Sequence, residues 1–196
     1  MKGHIFSPIA TITALLLLAA CQEQTSPPVN TTPLPSVAAP PYICDYIPLG
    51  AVQLMTGIRE PIVKGNFDLT VGKELDGKNY GTGGCWIYQP TGNKSKVLQI
   101  SLSPAGSKQE VEWEISQGAK PLPEIIPGAI GHYSQDGSAD NAQASAVLVH
   151  GLNEVIVDLI HGVKGRDNAA DAAALMELIA PKLIPGATPT TEKTRD

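Results

Sequence analysis

The first 21 residues constrain the fold most, because their pattern predicts that the N-terminus is not part of the folded domain. Residues 1–4 carry a positive charge, and residues 9–20 are mostly apolar, with four consecutive leucines. This run is shorter than the about 20 apolar residues that a transmembrane helix needs, and polar residues follow it at once. We therefore expect residues 1–20 to be a cleaved signal peptide.

The last residues of this run, Leu18-Ala19-Ala20-Cys21, match the lipobox of bacterial lipoprotein signal peptides. Small residues fit the signal-peptidase pocket, and a thiol is the group that receives diacylglycerol. Cys21 is therefore the predicted lipid-attachment site, and its lipid is expected to hold the mature chain on the extracytoplasmic face of the cell membrane. The alternative is an ordinary secretory signal followed by a chance cysteine, which the scarcity of cysteine, 3 in 196 residues, disfavours.

The mature chain divides by composition into a tether, a body and a tail. Residues 21–41 are rich in Pro, Thr and Ser and have almost no large apolar side chain, so they cannot bury enough surface to fold. Their prolines favour extended polyproline geometry, which gives a reach on the order of 60 Å at about 3.1 Å per residue. Residues 42–184 are predicted to be a single domain, and residues 185–196 a disordered tail.

The body begins and ends with predicted helices, and a third lies between them. Pro48 and Gly57 bracket a short apolar stripe, as residues that start and stop helices do. Ser107 and Glu110 form a capping box for the middle helix, and Asp167 can cap an alanine-rich last helix.

Strand patterns separate these helices. Residues 67–71 form a weak strand, and residues 85–89 and 96–102 flank a turn. Residues 146–150 and 154–161 form a Val- and Ile-rich hairpin that we expect at the centre of the sheet. Short links between paired strands imply antiparallel pairing. The predicted fold class is α+β, an antiparallel β-sheet packed by two or three helices, and a recurring helix-plus-hairpin order suggests a duplicated unit.

With Cys21 acylated, Cys44 and Cys85 remain as an even pair in an oxidising compartment, where such pairs usually form a disulfide. Closing a loop of about 41 residues would stabilise the domain by roughly 4 kcal/mol. The alternative, two free thiols for redox or metal chemistry, is disfavoured because neither cysteine lies in a Cys-x-x-Cys pair. The enclosed segment 45–84 is glycine-rich, and we predict that it is the most mobile part of the body and a candidate binding element.

Charge excludes some partners. Removal of residues 1–20 takes away Lys2 and no acid, so the net charge of −5 becomes −6. Nucleic-acid binding needs clustered lysines and arginines, so no nucleic-acid partner is expected. Membrane attachment is expected through the lipid on Cys21 and not through a basic surface.

Four acidic residues are candidates for a carboxylate pair of the kind that hydrolyses glycosides, namely Glu110, Glu112, Glu114 and Asp158. The glutamates lie on or beside the capped helix, where the helix dipole and solvent account for acids near its start. Trp113 of the same helix is interpreted as a core residue. No Gly-x-Ser-x-Gly or Ser-x-x-Lys sequence occurs, so we expect no catalytic residue and no enzyme.

A metal site needs ligands that converge, and the body holds His132, His150 and His161. The tight turn after His150 is predicted to pair it with Glu154 and not with His161, so neither a metal site nor a cofactor is expected. The polar loop at residues 136–141 has oxygen ligands but not the spacing of a calcium-binding loop.

Five short motifs follow one another along the mature chain: Cys44-Asp45-Tyr46, Leu54-Met55-Thr56-Gly57, Cys85-Trp86-Ile87-Tyr88, Pro127-Gly128-Ala129-Ile130-Gly131 and an Ala-rich helix at residues 171–183. In this order they resemble an actinobacterial family of secreted lipoproteins that carry a domain of unknown function. The resemblance implies an antiparallel sheet packed by helices in the cell envelope, and it brings no established catalytic residue.

An anchoring system on a domain without catalytic motifs predicts a non-enzymatic envelope lipoprotein that binds an envelope ligand or a partner protein. Two alternatives remain open. The first is an enzyme accessory or a divergent cell-wall hydrolase, which predicts a concave pocket with two or more converging polar groups. The second is a surface-exclusion lipoprotein of the phage or plasmid type.

Overall fold

The computed structural model describes residues 30–70, 80–137, 143–184 and 186. The predicted signal peptide, Cys21 and all of the predicted tail except Gly186 lie outside these residues. The described helices are α1 Leu49–Thr56, α2 Lys108–Ser116 and α3 Asn168–Leu183. The described strands are β1 Tyr42–Ile43, β2 Ile47–Pro48, β3 Ile62–Asp68, β4 Thr82–Tyr88, β5 Lys96–Ser103, β6 Lys120–Pro121, β7 Ile130–Gln135, β8 Ala144–His150 and β9 Asn153–Leu159.

Within this part of the chain, seven strands form one sheet in the order β3-β4-β5-β9-β8-β7-β6, and β1 pairs with β2 in a small separate sheet. All neighbouring strands of the large sheet are antiparallel. Together with the three helices, this confirms the predicted α+β class. Both predicted hairpins are present as β4–β5 and β8–β9, and the Val- and Ile-rich hairpin lies at the centre of the sheet. The duplicated helix-plus-hairpin unit stays a prediction.

The turn between β8 and β9 differs by one residue from the predicted register. His150 pairs with Asn153 and not with Glu154, which leaves Gly151 and Leu152 as a two-residue turn. Gly151 has a φ of 63°, the left-handed conformation that such a hairpin turn requires. The observed register fixes which β9 side chains share one face of the sheet.

The face of the sheet that α3 covers, here called the α3 face, is apolar. Leu98, Ile100 and Leu102 of β5 are buried there in the same core as α3. α3 packs across β7, β8 and β9. As predicted, Asp167 caps this helix, because its carboxylate accepts a hydrogen bond of 2.9 Å from the Ala170 N–H.

The two shorter helices also end near the predicted residues. α1 stops at Gly57, which has a φ of 70° and whose N–H donates to the Gln53 carbonyl oxygen at 2.9 Å. Pro48 is the N-cap of α1 and not its first helical residue. α2 is capped by Ser107, whose Oγ accepts a hydrogen bond of 3.3 Å from the Glu110 N–H. None of the helices in the described ranges combines the length and the apolar composition that spanning a bilayer requires.

Residues 30–42 run along α3 and include the described part of the predicted tether. At the start of α3, the Arg166 guanidinium donates to the carbonyl oxygens of Asn30 and Thr32. The same guanidinium forms a bidentate pair with Asp171, at 2.7 and 2.6 Å, and both side chains are almost fully buried. A buried ion pair therefore holds the chain to the domain from residue 30 onward.

The other end of this segment is held at the end of α3. The Lys182 ammonium donates to the Tyr42 hydroxyl at 3.1 Å and lies over the Tyr42 ring, 4.3 Å from its centroid. Between the two attachments, Leu34 is buried, with only 9% of its surface exposed. The polar composition of the segment does not predict these contacts.

Cys44 and Cys85 form the predicted pair, with a disulfide between them and Cα atoms 6.0 Å apart. The disulfide joins the turn between β1 and β2 to the middle of β4. Much of the enclosed segment 45–84 forms α1 and β3. Residues 71–79, on which part of the predicted mobile loop falls, lie outside the described residues.

Candidate functional site

The face of the sheet opposite α3 is polar and half-exposed, and we call it the polar face. The strand pairing aligns its side chains across five strands. One row joins Trp86, Gln99, Asp158, Ser145 and Ser134, and the next row joins Gly84, Ser101, Ile156, Val147 and His132. Because side chains alternate along a strand, the residues between these belong to the α3 face.

A cleft of about 390 Å³ lies between α2 and the polar face, and we call it the α2 cleft. From α2 it is lined by Ser107, Glu110, Val111 and Glu114. These residues are spaced by three and four, so they form one side of the helix. From the sheet it is lined by alternate residues of β7, β8 and β9. The volume lies within the range of about 300–1,000 Å³ that is usual for small-molecule sites.

The α2 cleft is acidic. Its lining includes five carboxylates, Glu110, Glu114, Asp136, Glu154 and Asp158, and no lysine or arginine among the described residues. Carboxylates that converge without a cation repel one another, and the repulsion grows as water is excluded. The cleft therefore has an electrostatic preference for a positively charged group.

The pKa of Glu154 reflects both its burial and the charge of a neighbouring carboxylate. Burial raises the pKa of its carboxyl group, and the nearby charge of Glu110 raises that pKa further. A hydrogen bond from the Ser103 hydroxyl at 3.4 Å acts in the opposite direction. The charged form of Glu154 is thus less favourable in the folded protein than in water, although the residue is only partly covered.

Asp158 lies four residues farther along the same strand and has a defined partner. The Ser145 hydroxyl of β8 donates to its Oδ1 at 2.9 Å, between residues that are directly opposite in the sheet. This bond fixes one carboxylate oxygen at the sheet end of the cleft. Ser145 and Asp158 both line the cleft, so a ligand in it meets an oriented carboxylate there.

His132 of β7 is the most buried polar side chain in the lining, with 7% of its surface exposed. Its Nδ1 atom is buried and has no hydrogen-bond partner among the described residues. Burial lowers the pKa of His132, and the charges of Glu114 and Glu110 partly offset this effect. The neutral imidazole is thus favoured, and one of its two nitrogens is then a hydrogen-bond acceptor.

A wider depression of about 740 Å³ continues the α2 cleft past the end of α2. The two share Glu114, Ser134 and Asp136. The depression extends to Arg166, which holds the start of the segment along α3. The cleft, the depression and the attachment point of the chain are therefore contiguous.

The structure brings together three of the four acids that the sequence singled out. Glu110, Glu114 and Asp158 all line the α2 cleft. Glu112 is exposed and does not line it. The interpretation of Trp113 as a core residue was wrong, since 58% of its surface is exposed. Val111 supplies the buried anchor of α2 instead.

Sequence reasoning missed Glu154 and the environment of His132, and it considered Asp136 only as part of a possible calcium-binding loop. The signal for Glu154 was its spacing from Ile156 and Asp158, which places polar groups on one face of an otherwise apolar strand. His132 carried no comparable signal, because its burial depends on α2 packing over β7. Its isolation from the other histidines in sequence gave no indication of the acids around it.

Other predicted sites lie elsewhere. His150 is at the end of β8 and His161 follows β9, and neither lines the α2 cleft. In the ranges that the structure describes, no three His, Cys, Asp or Glu side chains are grouped so as to hold a metal ion. The disulfide between Cys44 and Cys85 is on the β3–β4 side of the sheet, remote in sheet order from β7.

Comparisons with protein-family models, with curated proteins and with solved structures find no match to this chain. The resemblance to actinobacterial lipoproteins therefore stays a prediction from the motifs.

Proposed function

We propose that this protein is a lipid-anchored, extracytoplasmic binding protein that holds its ligand or partner in the α2 cleft. The observation that carries the proposal is that α2 rests on one buried residue, Val111, and leaves an acidic cleft between itself and the polar face. If stability were the only constraint, burying apolar side chains on that face would make folding more favourable.

Anchoring through a lipid on Cys21 is the second part of the proposal. The contacts of Arg166 with Asn30 and Thr32 support a short connection between membrane and domain. The chain from Cys21 to Asn30 spans at most about 32 Å at 3.3–3.6 Å per residue. This reach is about half of the 60 Å expected for an extended segment up to residue 41.

The anchoring is tested by Cys21→Ser. The variant is expected to lose lipid labelling and to leave the membrane fraction, because diacylglycerol attachment requires the thiol. Lipid label that persists on the variant would refute the anchoring.

A second candidate function is hydrolysis of a cell-wall glycan. It is supported by the raised pKa of Glu154 beside several other carboxylates, since a general acid paired with an ionised carboxylate is the usual arrangement in glycosidases. Glu154→Gln separates the two functions. Turnover of a wall polymer that this substitution abolishes supports the hydrolase and contradicts the binding protein.

The binding site is tested by photo-crosslinking in cells. A crosslinking amino acid replaces Trp113, which is exposed on α2 and precedes the cleft-lining Glu114 in the chain, or Val37, which is exposed at 73% on the segment along α3. We expect a specific crosslinked product from position 113 and none from position 37. Products from position 37 alone, or from neither position, would contradict the proposed site.

A further inference from the structure

We infer that the group held in the α2 cleft is a primary ammonium, as found on polyamines and on lysine side chains. This inference rests on the proposed binding function and names the chemistry of the ligand. It is drawn from the charge of the lining, from the buried acceptor on His132 and from the kinds of cation that the lining suits.

The charge of the lining favours a cation. Glu110 on α2 and Glu154 on β9 both line the cleft, and the charge of Glu110 adds to the burial that raises the pKa of Glu154. A positive charge between them converts this repulsion into two attractions. Glu114 and Asp158 are placed farther along the same cleft and extend the negative surface.

The unpartnered Nδ1 atom of His132 is a second and independent observation. Its Nδ1 has no partner among the described residues, although the side chain is more than nine-tenths buried. A buried polar atom without a partner is costly, so in the tautomer that carries its proton on Nε2 a bound donor at Nδ1 is favourable. A neutral imidazole accepts a hydrogen bond from an N–H group and does not repel a cation.

A primary ammonium suits both observations. It is a compact point charge that carries three N–H donors and no acceptor, so it can donate both to a carboxylate and to the imidazole. A divalent metal is disfavoured, because the described residues hold no cluster of three metal ligands. A quaternary ammonium has the charge but no N–H, and therefore cannot satisfy His132.

An exposed carboxylate of α2 outside the cleft provides a matched control for Glu154. Glu112 is two residues from Glu110 on the same helix, has the same charge and faces solvent outside the cleft. Glu112→Gln and Glu154→Gln change the net charge of the protein equally. A difference between them therefore reports the position of the carboxylate and not the overall charge.

The inference is tested by calorimetric titration of the full mature lipoprotein in detergent. The probes are spermidine, a tri-lysine peptide, choline and calcium chloride. We expect at least one of the two amines to bind, with choline and calcium at least tenfold weaker. Binding of spermidine alone indicates a free polyamine, and binding of tri-lysine alone indicates lysines of a partner protein.

The variants decide whether the binding is in the cleft. Glu154→Gln is expected to weaken amine binding at least tenfold, and Glu112→Gln less than twofold. A His132→Leu variant that retains the unfolding transition of the wild type is expected to weaken the amine but not choline. Equal effects of Glu112→Gln and Glu154→Gln, or choline or calcium binding as tightly as the amines, would overturn the inference.

The ammonium inference and the proposed function fail in different ways. If no amine binds while crosslinking from position 113 persists, the ligand class is wrong and the binding site stands. If neither result is obtained, both are wrong.

Discussion

The two faces of the large sheet are made from alternate residues of the same strands, yet they have opposite properties. In β9, Val155, Val157 and Leu159 are fully buried on the α3 face. Glu154, Ile156 and Asp158 are half-buried on the polar face, where they line the α2 cleft. One strand therefore supplies the core with every second residue and the candidate site with the residues between.

The covering helices explain the difference. α3 has 16 residues, and most of its side chains are buried in the core. α2 has 9 residues and buries Val111 alone. Area removed from water is the main source of stability, so the α3 face holds the fold together while the polar face is free to keep polar groups. Stability and the proposed binding are therefore assigned to separate sides of one sheet.

The largest expected loss of stability follows from removing the disulfide, whose Cys85 lies on the α3 face. Cys85 is fully buried, and its partner Cys44 ties the turn before α1 to β4. Cys44→Ser should lower the free energy of unfolding by about 4 kcal/mol, because the unfolded chain regains the entropy of an open loop. Urea unfolding measures the change. We expect ligand binding in the α2 cleft to persist below the new transition, and a variant as stable as the wild type would contradict a structural role.

Smaller losses of stability are expected when two isoleucines on opposite faces of the sheet are each replaced by alanine. Ile100 is fully buried on the α3 face, and Ile156 of the neighbouring strand is half-buried on the polar face. Ile100→Ala should cost about 3 kcal/mol, since it leaves a cavity in a closed core. Ile156→Ala should cost about 1 kcal/mol, because less area is lost and solvent reaches the site.

Chemical denaturation of the two alanine variants compares the faces directly. The m-values should be similar, so that the difference is one of stability and not of unfolded-state compactness. Equal costs at the two positions would show that the polar face is packed as a core, which would contradict the assignment of stability to the α3 face.

The smallest expected change in the free energy of unfolding is a gain and not a loss. Burial and Glu110 raise the pKa of Glu154, so the folded state holds a proton that the unfolded state releases as the pH rises. Stability from this group is present at low pH and lost as the pH rises through the raised pKa. Glu154→Gln should therefore stabilise the protein at pH 7, by about 0.5–1 kcal/mol.

This gain should shrink as the pH falls below about 4, because the wild-type carboxyl then becomes protonated in both states. His132 has a lowered pKa, so its contribution to stability is lost as the pH falls below its ordinary range. That loss occurs in both proteins and cancels in the difference. Thermal unfolding across this pH range measures the gain, and a Glu154→Gln variant that is less stable than the wild type at pH 7 would contradict the repulsion.

Much of the fold was predictable because its signals are local. Gly57, Ser107 and Asp167 act on the turn of helix beside them, and each is found at the predicted helix end. The hairpins follow from short apolar runs with turn residues between them. The order of strands was not predictable in this way, since β5 lies beside β9 only through long-range pairing.

The candidate site was predictable only in part, for the same physical reason. Glu110 and Glu114 were visible as neighbours on one helix. Their approach to Glu154 and His132 depends on how α2 packs over β7 and β8, which no local pattern encodes. The contacts of Arg166 with Asn30 and Thr32 were also not predictable from a local pattern, because 134 residues or more separate the partners in sequence.

Backbone-amide shift mapping by NMR tests the division between the two faces most directly. The labelled full chain in detergent is titrated with the amine that binds, and the perturbed amides are placed on the two faces. We expect shifts at Glu110–Glu114 of α2, at His132–Asp136 and at Glu154–Asp158, with α3 unchanged. Shifts concentrated on α3 and the segment along it, with the α2 cleft unperturbed, would contradict the assignment of binding to the polar face.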